Sequence, residues 1–242
     1  MSRSLKALPL TLALAALSIF AIGCASSNQA QIRVINAIPD SGPVDVYVNG
    51  TKIITNLPFN TVQPATTPAS YLAVISGSDT MQSFPPGDTI NPISPSGVLS
   101  LNGSTQYTVV GVGLELNESA PLLLTDDNTV PTSGNVEFRI VNASLSSPTG
   151  GVDVYIVPPG TDITKFTPQI SGLGNGQASA YQSLDFITSG YAVIVTANLS
   201  KKALITQPPT SQSGSITTLV LVDNLGGNNG MSQTPLVLHD LN

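Results

Sequence analysis

The sequence predicts an all-β protein in which two tandem β-sandwich domains follow an N-terminal export signal. Apolar and polar residues alternate over short segments, 21 glycines and 19 prolines interrupt the chain every few residues, and one series of segments occurs twice. Alternation with a period of two is typical of strands, and the interrupting residues favour turns. After residue 23, no uninterrupted helical pattern of useful length remains between these residues.

Residues 1–23 have the pattern of a secretory signal peptide. Arg3 and Lys6 form a positive start, and the stretch 7–22 that follows is apolar and carries no charge. A membrane-spanning helix needs about twenty residues, so this stretch is short for a span and suits a signal peptide.

The end of this stretch, AIGC, resembles the bacterial lipobox, after which a lipoprotein signal peptidase would cut directly before Cys24. The resemblance implies that Cys24 becomes the first mature residue, that its sulfur carries diacylglycerol, and that residues 24–30 form a tether. Two or three acyl chains would hold the protein durably on a membrane. The alternatives are an ordinary signal peptide with an incidental cysteine, or an uncleaved anchor.

We expect the protein to be located in the cell envelope. Ala25, by its resemblance to lipoprotein sorting rules, implies the outer membrane, on either its periplasmic or its surface-exposed face. Cys24 is also the single cysteine of the chain. A lipid on its sulfur would leave the mature domains without disulfides and without cysteine ligands for a metal.

The charge of the mature chain excludes nucleic acid as a partner. Removal of Arg3 and Lys6 leaves six basic residues against 14 acidic ones, a net charge of −8. Nucleic-acid binding requires clustered lysine and arginine, and so does a second, electrostatic contact with anionic lipid. Charged residues make up only 9% of the chain, so Ser, Thr, Asn, Gln and Gly must supply most of its polar surface.

Four segments recur in the same order. They are IRVINA…VDVYV (32–48) with FRIVNA…VDVYI (138–156), YLAVIS from Tyr71 with YAVIVT from Tyr191, SLNGSTQYTVVGVG (100–113) with SQSGSITTLVLVDN (211–224), and PLLLTDD from Pro121 with PLVLHDL from Pro235. We therefore predict one domain at 31–127, a linker at 128–134 rich in turn-forming residues, and a second domain at 135–242.

Each unit is predicted to consist of short strands. In VDVYV, Val44, Val46 and Val48 share one face of the strand, while Asp45 and Tyr47 share the other. The Asn49-Gly50 pair that follows is a strong signal for a hairpin turn. TVVGVG and TTLVLV are continuously apolar, as expected of strands in the centre of a core.

The stretches RVINA and VDVYVNG of the first unit resemble the bacterial family of domain of unknown function 4397, and the second unit resembles it with SLSSPTGG in place of IPDSGP. The resemblance implies two tandem sandwiches similar to immunoglobulin domains, in proteins that are often secreted or lipid-anchored. It implies no established activity.

Few residues are candidates for chemistry. His239 is the only histidine and stands at the end of a predicted strand, without a nucleophile elbow anywhere in the chain. Asp126 and Asp127 could contribute to a calcium site between the domains, although no calcium-binding loop pattern is present. GLGNGQ (172–177) lacks the strand and helix that surround a phosphate loop.

The acid–tyrosine pairs Asp45/Tyr47 and Asp153/Tyr155 recur on the same face of equivalent strands and form the candidate binding face. They could line a sugar-binding patch. Alternatively, the two aspartates could pair with Arg33 and Arg139 across the sheet, and we favour this second, structural interpretation.

We expect a lipid-anchored envelope protein without catalytic activity, with a structural or ligand- or partner-binding role and without a cofactor. Its partners would be the membrane, through Cys24, and an envelope protein or polysaccharide. The alternative function is a carbohydrate-binding module for exopolysaccharide or cell wall, although aromatic residues make up only 5% of the chain. A hydrolase with an unrecognised site is a third hypothesis, for which the sequence nominates no residue.

Overall fold

A computed structural model describes residues 28–64, 70–115, 120–208, 212–226 and 230–241. The fold is all-β, with four sheets arranged as sandwich-like domains, as the sequence predicts. Cys24, the signal peptide and most of the tether lie outside the described residues. In the part of the chain that the structure describes, no helix has both the length and the apolar character needed to cross a bilayer.

The first half of the chain forms nine strands in two sheets. They are β1 (Gln29–Asn36), β2 (Val44–Val48), β3 (Thr51–Leu57), β4 (Thr61–Gln63), β5 (Leu72–Ile75), β6 (Gly77–Phe84), β7 (Ser94–Leu101), β8 (Gln106–Gly111) and β9 (Leu122–Thr125). The first inner sheet has the order β4-β1-β8-β9, with β5 also paired to β1, and the first outer sheet has the order β3-β2-β6-β7.

The second half repeats this arrangement. Its strands are β10 (Asn135–Asn142), β11 (Val152–Val157), β12 (Ile170–Leu173), β13 (Gln177–Ala178), β14 (Gln182–Asp185), β15 (Ala192–Ala197), β16 (Ala203–Gln207), β17 (Ile216–Leu221) and β18 (Leu236–Leu241). The second inner sheet has the order β13-β10-β17-β18 with β14 on β10, and the second outer sheet has the order β12-β11-β15-β16. A single 3₁₀ turn, Ile163–Lys165, lies between β11 and β12.

Three apolar cores hold the four sheets together. One core lies between the inner and outer sheets of the first half, and it includes Val44, Val46 and Val48 on β2, as their alternation predicts. The second half has an equivalent core. A third core joins the two inner sheets, with Ile35 and Val110 from one half and Val141 and Val220 from the other. The sheets therefore stack in the order outer, inner, inner, outer.

The third core explains the apolar central strands. In each inner sheet the first strand pairs in parallel with the eighth, β1 with β8 and β10 with β17. Strands that are covered on both faces lose the alternation of polar residues. Accordingly, all six residues of β17 are buried, including its two threonines.

Turn chemistry sets the end of the first hairpin. Asn49 and Gly50 both have positive φ, 49° and 73°, and they join β2 directly to β3. This is the geometry of a two-residue hairpin turn, in which asparagine and glycine are favoured. The turn that the sequence predicts here is confirmed.

One predicted match between the halves is wrong. Tyr71 directly precedes β5, which pairs antiparallel with β1, and its structural equivalent is Tyr181, which directly precedes β14 and its pairing with β10. Tyr191 precedes β15 of the outer sheet instead. YLAVIS and YAVIVT share an apolar composition but not a position in the fold.

Candidate functional site

The predicted binding face lies on the outer sheets, and its acids are already engaged. Asp45 is 1% exposed and accepts hydrogen bonds from Lys52 Nζ at 2.6 Å and from the Asn56 amide at 2.8 Å. Asp153 is 3% exposed and accepts from the amides of Gly172 and Leu199, at 2.9 and 2.8 Å. Both carboxylates therefore connect their strand to neighbouring segments.

The Asp45–Lys52 pair shifts the pKa of both groups. Burial raises the pKa of Asp45, but the hydrogen bonds from Lys52 and from backbone amides outweigh this effect, and the net pKa is lowered. The hydrogen bond to Asp45 raises the pKa of Lys52. Both groups are thus held in their charged forms.

The two tyrosines of this face differ in exposure. Tyr155 is 1% exposed and packs with Val157 and Ile163 beneath the segment that joins β11 to β12. Tyr47 has no such cover and is half-buried, edge-on to Phe84 at 5.2 Å, with Lys52 Nζ 5.5 Å from its ring centre. Of the four residues in the candidate face, Tyr47 is the one with accessible surface to offer a ligand.

The predicted pairing of Asp45 and Asp153 with the two arginines is wrong. Arg33 and Arg139 lie on the inner sheets, on the faces that meet between the halves, whereas the two aspartates lie on the outer sheets. Arg33 Nη2 contacts Asp240 Oδ1 at 2.5 Å, and Arg139 Nη2 contacts Asp126 Oδ1 at 2.6 Å. Each arginine thus pairs with an aspartate of the other half.

Six residues form this buried cluster, which we call the exchange cluster: Arg33, Thr108 and Asp126 from the first half, and Arg139, Thr218 and Asp240 from the second. Each arginine donates through Nε to the threonine opposite it in its own sheet, at 2.7 and 3.1 Å. Each threonine in turn donates to the aspartate of its own half, at 2.6 and 2.5 Å. The contacts are therefore reciprocal, as in an isologous interface between two copies of one unit.

Asp126 is the centre of the exchange cluster. Its Oδ2 lies 3.4 Å from Arg33 Nη2, so that one carboxylate faces both guanidinium groups. Tyr71 also donates to this oxygen at 2.9 Å. A calcium site at the junction, which the sequence raised only as a possibility, would need Asp126, and two cationic side chains already neutralise this carboxylate. Among the residues that the structure describes, no group of three or more acids, histidines or cysteines is placed to hold a metal ion.

Two equivalent tyrosines cover the cluster. The guanidinium of Arg33 lies 5.3 Å from the ring centre of Tyr71, and that of Arg139 lies 4.7 Å from the ring centre of Tyr181. Burial raises the pKa of Tyr71, and it raises the pKa of Tyr181 to about 12. Burial lowers the pKa of Arg33, but the carboxylates of Asp240 and Asp126 more than compensate, and its net pKa is raised.

The remaining sequence candidates occupy ordinary structural positions. His239 lies in β18, opposite Thr217. GLGNGQ covers the end of β12 and the turn into β13, where the amide of Gly174 donates to the Gln177 side chain.

A groove between the halves is a second accessible site. It has a volume of about 530 Å³ and is lined by residues from both halves, namely Gly42, Pro43, Pro58, Phe59, Asn60, Asp223, Asn224, Leu225 and Ser232. We call it the junction groove. It lies beyond the C-terminal end of β1, where the Asn36 side chain donates to the carbonyl of Gly42 and the Gly226 amide of the second half donates to Pro39.

The walls of the junction groove are mainly apolar. Phe59 packs against the core shared by the two inner sheets, and Leu225 is 70% exposed. Asp223 is 1% exposed and is occupied by the Ser144 hydroxyl and by the amides of Leu145 and Ser146. Sequence analysis missed this site because its residues come from turns more than 160 positions apart in the chain, and no local pattern connects them.

Comparison with protein families places the chain in one of them. The profile of DUF4397, a domain of unknown function, matches residues 30–155. The chain belongs to this family. The matched range contains the first half, apart from the start of β1, and continues through β10 into β11. A search of curated proteins finds no match to this chain.

Proposed function

We propose that this DUF4397 protein is a lipid-anchored protein of the bacterial cell envelope that binds a partner in its junction groove and catalyses no reaction. The groove is the observation that carries the proposal. Binding sites are commonly concave, mostly apolar and located where two domains meet. At about 530 Å³, the groove is large enough for a short apolar peptide segment with its side chains.

We also infer that the second half is a second copy of the family unit. The strand order is the same in both halves, and the exchange cluster uses the same residue types at equivalent positions. Because the groove takes its walls from both copies, neither half alone could form it. The duplication would thus have a direct consequence for binding.

The arrangement of buried acids supports a role without catalysis. Asp45, Asp153, Asp223, Asp126 and Asp240 all accept hydrogen bonds from internal partners. A general acid or base requires a group that can reach a substrate. These carboxylates instead stabilise turns and the junction between the halves.

The alternative function is carbohydrate binding, as in a module for exopolysaccharide or cell wall. Phe59 supports it, because this aromatic ring lines the groove beside the polar side chains of Asn60 and Ser232. An aromatic surface flanked by hydrogen-bonding groups suits a sugar ring. The mainly apolar wall around it favours a protein segment.

Two experiments test the proposal. Intact mass spectrometry of the protein purified from membranes would show a chain that begins at Cys24 and carries diacylglycerol; a mature chain without added lipid would contradict the anchor. Second, the mature chain with Cys24→Ser would be co-sedimented with fractionated envelope. Retention by a protein fraction supports the main proposal, and release by soluble sugar supports the alternative. Recovery entirely in the supernatant from every fraction would contradict both.

A further inference from the structure

A small apolar recess lies at the opposite end of the first half from the junction groove. It has a volume of about 230 Å³, and its walls include Ile53, Val74 and Ile75 as well as Gln29 at the start of β1. None of its eight lining residues carries a charge. We call this site the N-terminal notch.

Ile75 is a large, exposed apolar residue of the notch. Its side chain is 72% exposed, and in β5 it pairs with Gln29, so it stands directly beside the point where the described chain begins. Together with the apolar walls beside it, this isoleucine forms an uncharged, mainly apolar surface at the start of β1. The charge of the mature chain gives no reason to expect an electrostatic attraction here.

The position of Cys24 limits how far this end can lie from a membrane. Four residue steps separate Cys24 from Asn28, and each step spans at most about 3.6 Å, so the separation is at most about 14 Å. The Asn28 carbonyl accepts from the Ser76 amide at 2.9 Å, which holds the entering chain against the turn that follows Ile75. A lipid on Cys24 would therefore keep the notch within this short distance of the bilayer surface.

We propose that the N-terminal notch rests on the phospholipid surface and that Ile75 enters the interfacial region of the bilayer. This inference depends on the lipid anchor proposed above for Cys24. The occupant of the notch is the bilayer, because the tether brings this end close to lipid and its walls carry no charge that would oppose entry.

This orientation also places the junction groove. The groove lies beyond the C-terminal end of β1, and eight residues of a strand at about 3.3 Å each separate the two ends by about 25 Å. With the notch on the bilayer, the groove faces away from the membrane. Lipid contact and partner binding would then occur at opposite ends of the molecule.

Depth-dependent fluorescence quenching tests the proposal on the full, lipidated chain. Cys24 is the only cysteine, and the lipid occupies its sulfur, so one introduced cysteine can be labelled selectively. The variants are Ile75→Cys at the notch and Leu225→Cys at the groove, which replace side chains of similar exposure, 72% and 70%. Each labelled protein is placed in vesicles of phosphatidylethanolamine and phosphatidylglycerol that contain nitroxide-labelled lipid.

We expect the lipid quencher to reduce the fluorescence of the Ile75→Cys label several-fold more than that of the Leu225→Cys label. Equal quenching, or stronger quenching at Leu225→Cys, would overturn the proposal. Flotation with the vesicles and intact mass report the anchor independently. A lipidated, vesicle-bound protein with an unquenched notch label would refute the orientation alone, whereas a protein without lipid that does not float would refute the anchor and the orientation together.

Discussion

Replacing Asp126 by asparagine removes the one carboxylate that both buried arginines share. The side chains of Asp126, Arg33 and Arg139 are 0–3% exposed, so neither water nor another acid can readily take its place. After the change, Arg139 loses its carboxylate partner, and Arg33 keeps only Asp240 as a charged partner. Removal of one partner from a buried ion pair costs about 3–5 kcal/mol, and we expect a loss of unfolding free energy in this range.

Urea unfolding, followed by circular dichroism, measures this loss. With a slope of about 3 kcal/mol per molar urea for a chain of this size, the unfolding midpoint should fall by about 1–1.7 M. Asp127→Asn is the matched control, because it makes the same chemical change one residue away at an exposed position. Equal midpoints for the two variants would refute the assignment of Asp126 as the centre of the cluster.

A combined variant separates pairing from packing. Arg33→Met, Arg139→Met, Asp126→Leu and Asp240→Leu together remove all four charges of the exchange cluster, so that no charge of the cluster is left without a partner. Apolar replacement of a complete buried ion cluster is often neutral or stabilising. We therefore expect this fourfold variant to unfold at a higher urea concentration than Asp126→Asn. A lower midpoint would mean that the charges themselves stabilise the junction.

Three further predictions concern single residues. Gly151→Ala should destabilise the protein by about 1–3 kcal/mol more than Gly160→Ala in thermal unfolding. Both glycines have φ near +80°. A Cβ on Gly151 would lie 2.7 Å from backbone atoms of β12, whereas a Cβ on Gly160 would face open space. The pKa of Asp88 should be about 2 in an NMR titration, chiefly because the Ile90 amide donates to it. The stability that ionised Asp88 contributes should then be lost as pH falls from about 4 towards 2. A measured pKa of 3.8 for Asp88 would contradict this prediction. Tyr181 should titrate near pH 12, so Tyr181→Phe should remove a late step from the tyrosinate absorbance curve. The raised pKa means that the stabilising effect of the neutral phenol is lost as pH rises from 10 to 12.

Local signals made much of the fold predictable. The alternation in β2 and the Asn49-Gly50 turn depend on residues adjacent in the chain, and both predictions are confirmed. The continuously apolar segments were correctly placed in central strands. The third core, between the inner sheets, could not be predicted from the sequence. A strand that is apolar on both faces must be covered on both, but its sequence does not indicate which element covers the second face.

The pairings of the exchange cluster depend on contacts between residues that are far apart in the chain. The sequence comparison did match Arg33 with Arg139 and Asp126 with Asp240 as repeated positions. It did not pair them, because Arg33 and Asp240 are 207 residues apart and meet only when the inner sheets pack face to face. The sequence pattern instead favours Asp45 and Asp153 as partners of the arginines, but these aspartates lie on the outer sheets.

The two candidate binding sites have different origins. The acid–tyrosine face was predicted from a repeated sequence pattern. Of its four residues, Tyr47 alone has accessible surface. The junction groove follows from the packing of turns in two halves, so its lining cannot be identified from periodicity. Binding through the strand face would depend on Tyr47, whereas binding in the junction groove would depend on residues of both halves.

One binding comparison tests this central claim most directly. The parent protein is the mature Cys24→Ser chain, and three variants of it carry Leu225→Glu, Leu199→Glu or Tyr47→Ser. Each would be co-sedimented with the envelope fraction that retains the parent protein. Leu225 lines the junction groove, whereas Leu199 is 92% exposed and lies outside it. The structure predicts that Leu225→Glu alone abolishes retention. Loss of retention with Tyr47→Ser, while Leu225→Glu is retained as well as the unmodified chain, would contradict the assignment of the groove.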